Sequence, residues 1–197
     1  PAAIMYANIM IPSNEITEFG ENKTPKVYKS TMDAITRGTS DGTNIAISVA
    51  AILIAVIALV FIVNSFLALI GSYLGLDLSI QLILGYIFAP IAWLMGIPWS
   101  EALIAGELLG LKTTLNEFVA YPALASLEPG LLSEKSKLIT FYGLCGFANF
   151  SSVGILVSGL GSMAPERKED LIEVSFQALI GATLASCMTG LIVGCLI

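Results

Sequence analysis

Four stretches of this chain, residues 44–76, 78–100, 138–165 and 174–197, contain no Asp, Glu, Lys or Arg. An uninterrupted run of about 20 such residues crosses the hydrocarbon core of a bilayer as a helix. The fold class expected is therefore an all-α integral membrane protein. Composition agrees: 12% of the residues are charged, against about 25% in a soluble domain. The net charge of -6 and the lack of any basic stripe exclude a nucleic-acid partner. Cys145, Cys187 and Cys195 lie in apolar runs, and with no CxxC spacing and no histidine the sequence offers neither a disulfide framework nor a metal site. It is not read as an enzyme. There is no nucleophile elbow and no HExxH, and Ser151-Ser152 has no evident base.

Taken in order, residues 1–12 read as the last turns of a membrane helix stopped by Pro12, and the start at Pro1 without a methionine or signal peptide reads as truncation. Residues 13–43 carry nine charges and several glycines, a cytoplasmic or interfacial composition, with an interfacial helix expected over 26–36. Residues 44–76 form the long spanning helix, with Gly71 and Gly75 at its end. Residues 77–197 form a second unit. In it, 78–95 is expected at the interface, because Trp93 and Trp99 are interfacial anchors, with a span as the alternative. Residues 100–127 carry Glu101, Glu107, Lys112 and Glu117 at intervals of five or six, which suits a re-entrant hairpin better than a span. Its turn is expected at 112–114. Residues 138–163 are a helix broken by glycines, and 171–197 the last span, with Gly181-x-x-x-Ala185 and Gly190-x-x-x-Gly194 as close-approach faces. Basic residues in 13–43 and 164–170 point to the cytosol, with Lys135 and Lys137 dissenting.

An ionisable group at bilayer depth marks a site by default. Glu117 with Asn116 at a hairpin tip would present acceptors to the hydroxyls of a solute. The plain alternatives are a capping box running from Thr114 to Glu117, or a local pair with Lys112. Asn149 and Ser152, three apart, share a helix face suited to a polyol, with Phe147 as a stacking surface. Interhelical hydrogen bonding serves that pattern equally well. Tyr121, Trp93, Trp99 and Tyr142 are expected in interfacial belts, and Glu101 and Glu107 stay ambiguous.

Gly110-Leu111-Lys112-Thr113-Thr114-Leu115-Asn116-Glu117-Phe118-Val119-Ala120-Tyr121, with GFANFSSVG at 146–154 and MAPER at 163–167, resembles the C-terminal half of the concentrative nucleoside transporters. The resemblance implies one half of an inverted-repeat secondary transporter, an ion-coupled nucleoside symporter working by alternating access. By it, Glu117, Asn149 and Ser152 bind the ribose hydroxyls, Phe147 lines the pocket, and the 44–76 helix is scaffold. It further implies a homotrimer, a multi-pass location in the plasma membrane (the inner membrane of a bacterium), and no cofactor. The coupling ion, sodium or proton, would have its ligands upstream of Pro1. The rival reading is a structural or channel-type membrane subunit whose polar residues serve helix packing.

Overall fold

The computed structural model describes residues 1–12 and 29–197, and among them every regular element is helical. They are α1 (Ala2–Met10), α2 (Thr31–Leu74), α3 (Ile80–Leu94), α4 (Trp99–Thr114), α5 (Glu117–Ala125), α6 (Glu134–Leu144), α7 (Phe150–Met163), a 3-10 turn (Pro165–Arg167) and α8 (Lys168–Leu196). Two of them, α2 and the Pro165–Leu196 stretch that contains α8, are long and apolar enough to cross a membrane.

The long helix starts earlier than its apolar run. Ser30 Oγ accepts from the Asp33 amide at 3.2 Å, and Asp33 pairs with Arg37 at 2.8 Å one turn on. This is N-terminal capping with an acidic first turn, so residues 31–43 continue α2 and are not a segment apart from it. Of the interfacial helix expected over 26–36, residues 26–28 lie outside the described residues and 31–36 are the opening turns of α2. At 44 residues and 1.5 Å each, α2 is about 66 Å long, roughly twice the hydrocarbon thickness. Charges on its first turns are tolerated because they lie beyond the apolar run. At the other end Gly71 lies inside the helix, and the stop is Gly75, whose φ of 68° only glycine adopts freely.

Past Gly75 the chain is tied back to α2. Asn64 Nδ2 donates to Gln81 Oε1 at 3.0 Å, and Asn64 Oδ1 accepts from the Ile80 amide at 2.9 Å, one of the first-turn N–H groups of α3 that have no partner within the helix. Nearer its middle, α2 meets α7 where Ile52 lies over Gly154.

Helices α3 and α4 pack antiparallel because glycine lets their backbones meet. A Cβ on Gly106 would come 2.8 Å from the Ala89 amide nitrogen and overlap the Gly85 carbonyl oxygen, and one on Gly85 would come 2.6 Å from Glu107 Cγ. Glu107 thus lays its stem against Gly85. With 15 residues, α3 covers about 22 Å, short of the roughly 30 Å hydrocarbon core. Gly106→Ala is expected to destabilise the protein by about 1–3 kcal/mol, since both obstructing atoms are backbone and cannot rotate away. Thermal unfolding in detergent measures this, and an unchanged midpoint would contradict so close a contact.

The core gathers Phe88, Ala92, Ala105, Leu109, Ile139 and Leu144 with Cys187 of α8. The α3–α4 loop inserts Met95 into a notch of glycines: its Cε would lie 2.8 Å from a Cβ on Gly143 and 2.5 Å from one on Gly190. Gly194 faces the Met95 carbonyl in the same way. The Gly190-x-x-x-Gly194 face therefore carries α8 onto α6, and Gly181 receives Met10 of α1. Glu101 joins the α4 start to the α6 start, its Oε2 accepting from the Ser133 amide at 3.0 Å and from Ser133 Oγ at 3.1 Å.

Candidate functional site

Helix α4 continues to Thr114 and α5 opens at Glu117, so the turn between them is residues 115 and 116 and not 112–114. Thr113 and Thr114 stay helical because their hydroxyls donate back to the carbonyls of Leu109 at 2.8 Å and Gly110 at 2.7 Å. The cap of α5 is accordingly Asn116, whose Oδ1 accepts from the Val119 amide at 3.1 Å. This replaces the capping box expected from Thr114. It leaves Asn116 Oδ1 one lone pair, so that residue is committed in part to the helix it caps.

A second interruption faces the first. Helix α6 ends at Leu144, the chain runs without helix to Asn149, and α7 starts at Phe150. Asn149 caps α7: its Oδ1 accepts from the Ser152 amide at 2.7 Å and from Ser152 Oγ at 2.8 Å. Because both of those are donors, the oxygen end of the amide is fixed and Nδ2 must face away. There it donates to Glu117 Oε2 at 2.9 Å. The first residue of α5 and the cap of α7 are thereby joined, and two half-helix N-termini, each with its partial positive charge, converge on one carboxylate–amide pair.

Asn149 is 1% exposed and Ser152 3%. With Phe147 they line a cavity of about 120 Å³ whose remaining wall includes Leu156, Leu171 and Leu179. Phe147 itself is 66% exposed. Three of the four expected site residues thus meet at the cavity. Glu117 does not line it; it stands behind Asn149, its Oε1 buried and without a hydrogen-bond partner. The chemistry on offer is recognition: a carboxylate oxygen that only accepts, one uncommitted Asn149 amide proton, the Ser152 lone pairs and a flat aromatic face.

Lys112 is expected in the hairpin turn, with a local pair to Glu117 as an alternative. Its Nζ makes no hydrogen bond, and the side chain is 0% exposed. The signal for its burial was present: Ala105, Leu108, Leu109, Lys112 and Thr113 recur at helical spacing on the buried face of α4. The Tyr121 hydroxyl lies 2.8 Å from Cys145 Sγ and ties α5 to the end of α6. Trp93 and Trp99 remain exposed, edge to face at 6.4 Å.

Residues 1–194 match the family described as "Na+ dependent nucleoside transporter C-terminus". The chain belongs to the concentrative nucleoside transporter family. Members of the concentrative nucleoside transporter family are membrane transporters, not enzymes. Among relatives, the nucleoside permease NupC of Helicobacter pylori is 40% identical over 199 residues, covering 98% of this chain and 48% of the permease. Sodium/nucleoside cotransporter 1 of Rattus norvegicus is 34% identical over 215 residues, covering 100% of this chain and 33% of the cotransporter. The solved structure of a CNTnw variant in its intermediate 2 state superposes with a TM-score of 0.87 at 38% identity, covering 100% of this chain and 49% of that one. CNTnw in an inward-facing substrate-bound state gives 0.77 at 38% identity, covering 98% of this chain and 47% of that one. The chain spans about half the length of the bacterial permease it matches.

Proposed function

We propose that the protein carrying this chain is a sodium-coupled nucleoside symporter and that this chain supplies the ribose side of the substrate site. The observation that carries the reading is the continuous chain Glu117–Asn149–Ser152 at two converging half-helix N-termini beside the Phe147 cavity. Ribose hydroxyls both donate and accept, which suits a carboxylate paired with an amide and a hydroxyl, and the aromatic face suits the apolar side of the sugar or base. A cavity of about 120 Å³ is below the roughly 300 Å³ at which small-molecule pockets start. That fits one wall of a shared site.

The sodium preference rests on the family description and on relatives named sodium/nucleoside cotransporters. Alternating access is supported by the solved states of CNTnw, which include an inward-facing substrate-bound state and variants in an outward-facing state. The exposed apolar side of α2, with Ile54, Phe61, Ile62 and Phe66, suits lipid and a neighbouring copy in a homotrimer within the plasma membrane.

The test is thermal unfolding of the whole purified protein with uridine or adenosine. A ligand at a hundredfold its Kd stabilises the folded state by about 2.7 kcal/mol, so the midpoint should rise with nucleoside and not with free base at equal concentration. A packing or channel subunit would show no nucleoside-dependent shift, and that result would end the reading.

A further inference from the structure

Among the described residues, the largest side chain fully enclosed is a lysine. Lys112 lies in the last turn of α4, is 0% exposed, and its ammonium has no hydrogen-bond partner. A methyl on Gly146, just past the C-terminal end of α6, would come 3.6 Å from Nζ and would overlap Ser186 Oγ of α8. Glycine at 146 therefore lets the ammonium, the α6 break and α8 close on one point.

Helix C-terminal ends carry partial negative charge. Where half-helices end inside a membrane, those ends and the unwound carbonyls beside them are where transporters hold cations. In this chain α4 and α6 both end near Lys112, and the Glu117 carboxylate, with its unpartnered Oε1, lies across the hairpin turn. Neutralising such an array takes a positive charge. The geometry points to Lys112 as a tethered cation: its ammonium stands where a free cation would otherwise be needed, neutralises the half-helix ends and Glu117, and so holds the Glu117–Asn149 pair in register for substrate. Lys112 is then a positioning residue, out of contact with the nucleoside. It also follows that this half of the site needs no free ion of its own.

This inference rests on the nucleoside-transport reading for one of its two readouts only. In the whole transporter reconstituted in vesicles, Lys112→Met, close in length and neutral, is expected to raise the KM for nucleoside at least about tenfold with a smaller change in maximal rate, while Lys112→Arg, which keeps the charge, retains the larger part of the affinity. In Lys112→Ala, which leaves room, methylammonium should lower the KM and raise the thermal midpoint, whereas choline, too large to enter, should do neither. A wild-type KM in Lys112→Met overturns the inference, as does an identical response of Lys112→Ala to methylammonium and choline. Should Lys112→Met fail to fold, the thermal midpoint of Lys112→Ala in the two salts decides alone, with the same signs. If the unmodified protein transports no nucleoside, the functional reading falls, and the thermal comparison still judges Lys112.

Discussion

Glu117→Gln is expected to raise the KM for ribonucleoside uptake by about one to two orders of magnitude while leaving the protein folded. The glutamine keeps an oxygen that can accept from Asn149 Nδ2, now 2.9 Å from Glu117 Oε2, so the link between α5 and α7 survives. What is lost is charge. A hydrogen bond to an ionised acceptor contributes about 1.5–3 kcal/mol, and each 1.4 kcal/mol is about tenfold in affinity. Substrate variation separates this from a general loss of shape: a 2′,3′-dideoxynucleoside has no hydroxyl to donate, so it should bind weakly to the unmodified protein and lose little more in Glu117→Gln. Equal losses for ribo- and dideoxynucleosides would show that Glu117 does not serve the ribose.

Asn149→Ala should be the most damaging single change, because that side chain has two duties. It caps α7 through the Ser152 amide and it satisfies Glu117. Losing a cap costs about 1 kcal/mol, and leaving a buried carboxylate oxygen unpartnered costs about 1–3 kcal/mol more. Both stability and uptake should fall. Asn149→Ser separates the duties: serine is a good cap but is too short to reach Glu117, so stability should recover in part while uptake stays low. Asn149→Asp sets a second carboxylate against Glu117. Two carboxylates in one site share a proton most readily at low pH, so uptake by this variant should improve as pH falls, a dependence that an amide at 149 does not introduce. A pH-independent Asn149→Asp would contradict the contact.

The elements that sequence placed well are those where burial in lipid is the whole argument. Absence of charge marked α2 and α8, and glycine spacing marked the α6–α8 contact through Gly190 and Gly194. The polar positions Glu117, Asn149 and Ser152 were legible because an amide and a carboxylate are anomalous in such surroundings. Boundaries were less legible. Charge says where a helix leaves lipid, not where it stops, so α2 continues back to Thr31 through Asp33 and Arg37. The hairpin turn lies at 115 and 116 and not at the expected 112–114, since Thr113 and Thr114 each return the hydroxyl to the helix they belong to. Lys112 shows position outweighing residue type: a lysine suggests a partner such as Glu117, but its place on the α4 face with Ala105 and Leu109 decides its burial. The antiparallel union of α3 with α4 depends on Gly85 meeting Gly106, a three-dimensional coincidence that no single segment displays.

The fastening of α3 to α2 has a mechanical consequence. Residues 80–197 follow the long helix covalently through residues 75–79, and the first turn of α3 is pinned to it again at Asn64, about 16 Å back along the axis at 1.5 Å per residue. Both attachments act on the start of α3, through Ile80 and Gln81, so that point cannot slide along α2 while the Asn64 amide holds it. Any swing of α3 against the long helix that keeps these bonds therefore has its pivot there, and Asn64, remote from the cavity, sets the height at which it sits.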